Sequence, residues 1–149
     1  MSADDPTATP GHAVPGRGIV RLSWVGTVVS CVTSIADAAL GDGRSHALSA
    51  VPGVVMMVAG SAVFIWAFLI AVGRSRTDEI DVAGLYLLTG SAPRSVRTSM
   101  LASVAVQATV PLVVAVIRPS TAFAVLAPMW SLGLTGLWGA RHGTFGPRR

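Results

Sequence analysis

The stretch VVMMVAGSAVFIWAFLIAV, residues 54–72, decides the fold of this chain. It is the centre of an uncharged run over residues 47–73, and this run exceeds the ~20 apolar residues that a helix needs to cross a bilayer. Pro52 falls in the first turn of the run, where a helix tolerates the missing N–H group. Residues 47–73 are therefore predicted to form a transmembrane helix.

The composition of the whole chain is typical of a multi-pass membrane protein. Of 149 residues, 52% are hydrophobic and 12% are charged, which is half of the ~25% usual in soluble domains. Because a soluble domain needs a charged surface, an ordinary soluble enzyme is excluded. The net charge of +4 comes from arginines scattered over short segments without a basic stripe, so no nucleic-acid partner is expected.

Three further apolar stretches have the length of a membrane span, and they cover residues 22–41, 99–117 and 120–140. Pro111 and Pro128 lie within the last two stretches and are predicted to kink their helices. The prediction is an all-α membrane protein with four transmembrane helices, at about 22–41, 47–73, 99–117 and 120–140.

The segments outside the spans are short. Residues 1–16 are rich in proline and glycine and are predicted to be a disordered tail, which leaves 17–149 as the transmembrane domain. Within residues 74–98 an apolar run is too short to span, so we predict a short interfacial helix between the second and third spans. Ser75 and Asp78 have the spacing of a capping box at its start.

The arginines predict the orientation. Nine of them lie in the N-terminal segment, the 74–98 segment and the C-terminal tail, whereas the two other connections hold only Arg44 and Arg118. Under the positive-inside rule both termini are cytoplasmic, and the predicted location is the cell membrane. Trp24 and Trp138 each lie three residues from such an arginine, as expected for an interfacial aromatic belt.

Two processing interpretations of the first span compete with a retained helix. Ala36-Asp37-Ala38 has the A-x-A form of a signal-peptidase site, and residues 28–31, ending in Cys31, loosely match a lipoprotein box. The segment before the apolar run is long for a signal peptide and begins acidic, which favours a retained helix. Cleavage and lipidation both stay open as alternatives.

Asp37 and Gln107 are the candidate intramembrane polar residues. A carboxylate inside a span is costly, so Asp37 is a candidate proton or cation site; alternatively it lies at the outer end in water, near Arg44. Gln107 lies near the middle of the third span and needs a partner there. That partner is either a residue of another helix or a ligand.

No catalytic, cofactor-binding or metal-binding set is recognised in the sequence. His12, His46 and His142 lie in separate segments without metal-ligand spacing. No serine lies in a G-x-S-x-G motif, and no glycine-rich phosphate loop is present. The sequence therefore predicts no cofactor and no enzymatic activity.

Small residues recur every four positions in two spans, which is typical of close helix–helix contacts. The first stripe consists of Gly26, Ser30, Ser34 and Ala38, and the second of Ala127, Ser131, Thr135 and Gly139. Gly133, Gly136 and Gly139 also recur every three residues in the fourth span, which makes Gly136 a candidate packing residue, and Leu134 is expected to face lipid. Both contact within one chain and contact between chains are open.

The ending WSLGLTGLWGARHGTFGPRR, residues 130–149, together with RSRTDEI, residues 74–80, resembles a group of small actinobacterial membrane proteins. The resemblance covers the second to fourth spans and the loop between them. It implies a four-helix membrane fold and an actinobacterial source. It brings no catalytic residue and no specific function.

The expected function is that of a non-enzymatic accessory or interaction protein of the cell membrane. Its partners are the lipid bilayer and either a larger membrane protein or a second copy of the chain. The alternative is a small transporter or channel subunit that uses Asp37, similar in this respect to small four-helix multidrug exporters. An intramembrane enzyme is the third possibility, and it lacks a nucleophile–base pair.

Overall fold

A computed structural model of the protein describes residues 15–40 and 47–148. These ranges form α1 (Arg17–Leu40), α2 (Ala47–Arg74), α3 (Val82–Tyr86), α4 (Arg94–Ile117), a 3-10 segment (Pro119–Leu126) and α5 (Pro128–His142). Within these ranges, four helical segments are long and apolar enough to cross a membrane, the 3-10 segment and α5 together being the fourth. The predicted four-helix fold with a short helix between the second and third spans is confirmed. Most of the predicted disordered tail lies outside the described residues, as do Arg44, His12 and His46.

Two of the helices begin well before the apolar stretches that predicted them. α1 begins at Arg17 and α4 begins at Arg94, each five residues before its predicted span. Hydropathy marks only the part of a helix that suits lipid, whereas backbone hydrogen bonding continues into the charged turns beyond it. α4 also passes through Pro111 as one helix.

The fourth span is not one continuous α-helix. A 3-10 segment of eight residues comes first, and α5 starts at Pro128. The predicted kink at Pro128 is therefore a change of helix type. A proline at the first helical position needs no hydrogen bond for its nitrogen, and its fixed φ suits a new helix start.

The most extensive helix contact joins α2 to α5. Glycines allow these two backbones to meet, since a Cβ built on Gly60 would lie 2.5 Å from the Met129 carbonyl and one built on Gly133 would overlap the backbone of Gly60. α1 packs mainly against α4. The bundle is thus held by small residues at close backbone contacts, as is common for helices in lipid.

α3 is capped differently from the prediction. The side chain of Asp81 accepts a hydrogen bond from the Gly84 N–H at 3.1 Å and is the N-cap. Ser75 instead donates to the carbonyl oxygen of Val72, so the predicted capping box at Ser75 is wrong. Local spacing identified a possible cap, but Ser75 directly follows the last residue of α2, Arg74, and its hydroxyl bonds back to that helix instead of forward to α3.

Four helix ends meet at one end of the bundle. Trp138 Nε1 at the end of α5 donates to the Pro15 carbonyl before α1 (3.1 Å), and Arg74 at the end of α2 donates to the Ala140 carbonyl (2.8 Å). We call this the arginine-rich end, because it carries Arg17, Arg74, Arg94 and Arg141. The opposite end, where α1 meets the start of α2, is called the Asp37 end.

Candidate functional site

The face of α1 that packs inside the bundle is polar or small. Its buried residues are Ser23, Gly26, Thr27, Ser30, Ser34 and Asp37. Their spacing of three and four residues places them on one face of the helix. The opposite face is apolar and exposed, with Val25, Val28, Val32 and Ile35 all more than half exposed. This arrangement suits a helix whose outer face meets lipid.

Near the arginine-rich half, serines from three helices meet at Gln107. The Ser23 and Ser103 hydroxyls lie 2.7 Å apart, and Ser23 donates to the Ser131 hydroxyl at 3.1 Å. Ser131 in turn donates to the Gln107 side-chain oxygen at 2.5 Å, and the Gln107 amide points to the sulfur of Met56 at 3.6 Å. Gln107 thus has residues of other helices as its partners.

Further buried hydroxyl groups extend the Gln107 cluster into a line of polar side chains along the bundle. Thr27 donates to the Ser23 carbonyl at 3.0 Å, and Thr135 donates to the Ser131 carbonyl at 2.7 Å. Ser34 donates to the Ser30 carbonyl at 2.6 Å. These bonds satisfy the hydroxyls within their own helices and leave the oxygen lone pairs facing the interior.

Ser30 is the unsatisfied member of the line. Its hydroxyl oxygen is buried and has no hydrogen-bond partner among the described residues. A buried polar group without a partner costs ~1–3 kcal/mol, and a bound water commonly supplies the missing bond. The position is therefore one where a water or a ligand would be stabilised.

Asp37 closes the line at the far end of α1. Its side chain is only 5% exposed, although it lies three residues before the helix ends at Leu40. The hydroxyl of buried Ser49 donates a hydrogen bond to the Asp37 carboxylate and joins α1 to the first turn of α2. The position of Asp37 near the helix end therefore does not leave it in open solvent.

We call this set the polar seam. It comprises Ser23, Thr27, Ser30, Ser34 and Asp37 of α1 with Ser49, Ser103, Gln107, Ser131 and Thr135 of the other helices, all buried. From Ser23 to Asp37 the helix rises about 21 Å at 1.5 Å per residue. The seam therefore extends over about two-thirds of a hydrocarbon core ~30 Å thick.

The predicted packing glycines contact residues of their own chain. A Cβ on Gly26 would overlap the ring of Trp130, and one on Gly136 would overlap the ring of Tyr86. A Cβ on Gly139 would overlap the backbone of α3. These small residues, and the small polar members of both stripes, therefore lie in contacts inside the bundle.

Two expectations about large residues near this stripe were wrong. Leu134 is 2% exposed and packs with Met100 and Trp138, so it does not face lipid. Trp138 is 1% exposed and is part of that core instead of an interfacial belt. α5 is buried on most of its surface because α1, α2, α3 and α4 all contact it, and hydropathy alone does not distinguish such a central helix from a peripheral one.

Sequence reasoning singled out six members of the seam and missed others. Ser23, Thr27, Ser49 and Ser103 were not candidates, although the four-three-four-three spacing from Ser23 to Asp37 was available as a signal. Ser49 could not be found in this way, because its pairing with Asp37 depends on how two helices meet.

Comparisons of the chain with protein-family models, with curated proteins and with solved structures find no match. In residues 15–40 and 47–148, no three His, Cys, Asp or Glu side chains come together as a metal site would require. What the seam does offer is one buried carboxylate and a line of hydroxyl and amide groups. Such groups can bind a proton or a small cation and can hydrogen-bond water.

Proposed function

We propose that the protein is a small transporter or channel subunit of the cell membrane that binds a proton or a small cation at Asp37. The observation that carries the proposal is the buried carboxylate at the end of the polar seam. Four apolar helices support the membrane setting. We prefer the transporter or channel subunit over an accessory protein, because the small residues of both stripes pack against helices of the same chain.

The chemistry of Asp37 favours binding over a purely structural role. A charge at the centre of a span costs ~2.5–3.5 kcal/mol on insertion scales, and less towards the interface. An ionised carboxylate offers about four acceptor sites, and Ser49 fills one of them. The other acceptor sites have no partner among residues 15–40 and 47–148, so they can take a proton or a cation, which also neutralises the buried charge.

The proposed orientation gives the seam a direction. With the arginine-rich end in the cytoplasm, Asp37 lies towards the outer surface and Ser23 towards the inner one. The unpaired hydroxyl of Ser30 lies two turns from Asp37, where a water molecule would continue the hydrogen-bonded line. A proton bound at Asp37 could then be transferred inward along the hydrogen-bonded groups of the polar seam.

The test is ion flux into proteoliposomes that contain a pH-sensitive dye. Under an imposed proton gradient we expect flux above that of empty liposomes, and Asp37→Asn should lower it to the empty-liposome rate. Asp37→Glu, which keeps the carboxylate, should retain part of the flux. Equal flux for wild type and Asp37→Asn would contradict the proposal, as would the absence of both proton and alkali-cation flux in the wild type.

A matched pair of threonines on α1 tests whether the whole seam takes part. Thr27 is buried in the seam and its hydroxyl also approaches the Ser103 carbonyl at 3.4 Å, whereas Thr33 donates to the Val29 carbonyl outside the seam. Thr27→Val should reduce the flux and Thr33→Val should leave it unchanged. Equal effects of the two substitutions would limit the site to Asp37.

A non-enzymatic accessory or interaction protein is the second candidate. It is favoured by the ordered surface of the arginine-rich end, where exposed Arg76, Arg94 and Arg141 lie beside a folded C-terminal tail. Purification from native membranes with mass spectrometry separates the two candidates. A stoichiometric larger partner together with flux-inactive proteoliposomes would favour the accessory role.

A further inference from the structure

A groove on the outer surface of α2 lies apart from the polar seam. It lies between the C-terminal half of α2 and the segment that leads into α3, with a volume of about 310 Å³. Its apolar lining includes Phe64, Phe68, Ala71, Val72, Leu85 and Tyr86. Tyr86 stacks on Phe64 with ring centres 4.2 Å apart and closes the groove at its deeper end.

The groove runs along the helix axis. Phe64, Phe68, Ala71 and Ser75 follow one another at steps of four, three and four residues and so lie on one face of α2. The rise from Phe64 to Ser75 is about 16 Å. Because α2 is a membrane span, the groove lies roughly along the membrane normal and opens sideways, where lipid tails would be.

Charged groups of both signs lie at the end of the groove nearest the helix terminus. There the groove continues into a second pocket, which shares Ser75, Ile80 and Asp81 with it and adds Asp78, Glu79 and Arg148. Asp78 is already paired with Arg74 at 2.9 Å. Glu79, Asp81 and Arg148 are exposed, so two carboxylates and one guanidinium face the same pocket.

We propose that this groove binds one acyl chain of a zwitterionic aminophospholipid, with its ammonium group at Glu79 and Asp81 and its phosphate at Arg148. The slot is apolar and about as long as most of an acyl chain, and its charged end lies at the level of the helix termini, where headgroups lie. A primary ammonium donates hydrogen bonds to carboxylates, which a choline headgroup cannot do. An anionic headgroup without an ammonium would be repelled by the two carboxylates. This inference does not depend on the proposed transport function.

Native mass spectrometry of the detergent-purified, delipidated chain tests the inference. Phosphatidylethanolamine, phosphatidylcholine and phosphatidylglycerol with identical acyl chains are titrated in turn. We expect one phosphatidylethanolamine to bind about tenfold more tightly than either of the others, the factor that corresponds to ~1.4 kcal/mol from charge-assisted hydrogen bonds. Equal retention of all three lipids, or a preference for phosphatidylglycerol, would overturn the proposal.

Two substitutions separate the acyl slot from the headgroup site. Val72→Trp fills the groove from its half-exposed mouth, and Val58→Trp places the same side chain at an exposed position of α2 outside the groove. Val72→Trp should lower the affinity for phosphatidylethanolamine at least tenfold, and Val58→Trp should leave it unchanged. If both or neither changed it, the groove would not be the site.

Glu79→Gln keeps the test valid if Val72→Trp fails to fold. Glu79 is exposed, so its substitution leaves the packing of the helices intact. We expect the preference for phosphatidylethanolamine over phosphatidylcholine to disappear, while both lipids still bind. An unchanged preference in Glu79→Gln would remove the proposed headgroup contact and overturn the assignment.

Discussion

Tyr86 joins three parts of the molecule through one side chain. Its ring stacks on Phe64 of α2 and contacts Gly136 of α5, and its hydroxyl donates to the Phe64 carbonyl at 3.3 Å. Aromatic pairs of this kind contribute ~0.5–1.5 kcal/mol beyond the area they bury. α3 has only five residues, so this side chain is a principal anchor of the segment between the second and third spans.

The phenol of Tyr86 should titrate at unusually high pH. Burial raises the pKa of Tyr86 above its ordinary value of 10.0, because desolvation disfavours the phenolate. Since the pKa is higher in the folded state, the stabilisation is fully present below about pH 10 and is lost as pH rises through the folded pKa. The chain has one tyrosine, so the ultraviolet absorbance of phenolate reports it alone. A midpoint equal to that of the unfolded chain would contradict this prediction.

The sequence was informative about single residues wherever a polar group interrupts an apolar run. Asp37 and Gln107 stand out for that reason, and both are buried polar residues of the seam. Ser49, the partner of Asp37, does not stand out, and Ser131 stands out only as a small packing residue and not as the partner of Gln107, because pairing depends on the packing of helices. The local sequence pattern identifies the polar side chain that is costly to bury, but it does not identify the residue that pairs with it.

At the scale of elements, α5 depends on glycines where other parts of the chain come closest. Gly136→Leu would force the new side chain into the Tyr86 ring and separate α5 from α3. Overpacking of this kind costs ~1–3 kcal/mol. We expect normal membrane insertion, because leucine favours insertion, but a lower temperature of thermal unfolding in detergent.

Gly73→Leu is the matched control for this substitution. No described atom lies within 4 Å of a Cβ built on Gly73, so a leucine there meets open space. Leucine also has a helix propensity better than that of glycine by up to ~1 kcal/mol. The control should unfold at the wild-type temperature or above it. If Gly136→Leu did so as well, the contact between α5 and Tyr86 would not contribute to stability.

The elements themselves were largely predictable, and their internal irregularities were not. Long uncharged runs predicted α2 and α4, because a helix satisfies the backbone hydrogen bonds of such a segment inside a bilayer. The 3-10 segment before Pro128 was missed, because proline predicts an interruption without specifying whether the chain bends or changes helix type. The helix that follows was placed correctly but assigned the wrong exposed face at Leu134.

At the scale of the whole molecule, Arg74 fastens the arginine-rich end. Its guanidinium donates to the carbonyls of Ala140 (2.8 Å) and Gly143 (3.3 Å) at the end of α5 and pairs with Asp78. A cation at a helix C-terminus meets both unpaired carbonyls and the negative end of the helix dipole. The C-terminal tail then folds back, with the Glu79 N–H donating to the Gly146 carbonyl at 2.8 Å. Nothing in the sequence pattern predicted this closure.

The bundle topology predicts a specific result for reporter fusions. Because helix ends with most of the arginines meet at one end, fusions at the C-terminus and within residues 91–97 should both read cytoplasmic. Fusions near Ser120 and within residues 41–46 should both read external. Fusions at the two arginine-rich sites that report opposite sides would contradict a four-span arrangement.

The measurement that tests the central claim most directly is the covalent labelling of Asp37. An apolar carbodiimide reacts with protonated carboxyl groups that it reaches from the membrane, and peptide mass spectrometry then locates the adduct. In proteoliposomes we predict an adduct on Asp37 and a parallel loss of ion flux. If its labelling left the flux unchanged, or if the flux were lost while Asp37 stayed unlabelled, Asp37 would not be the ion-binding group.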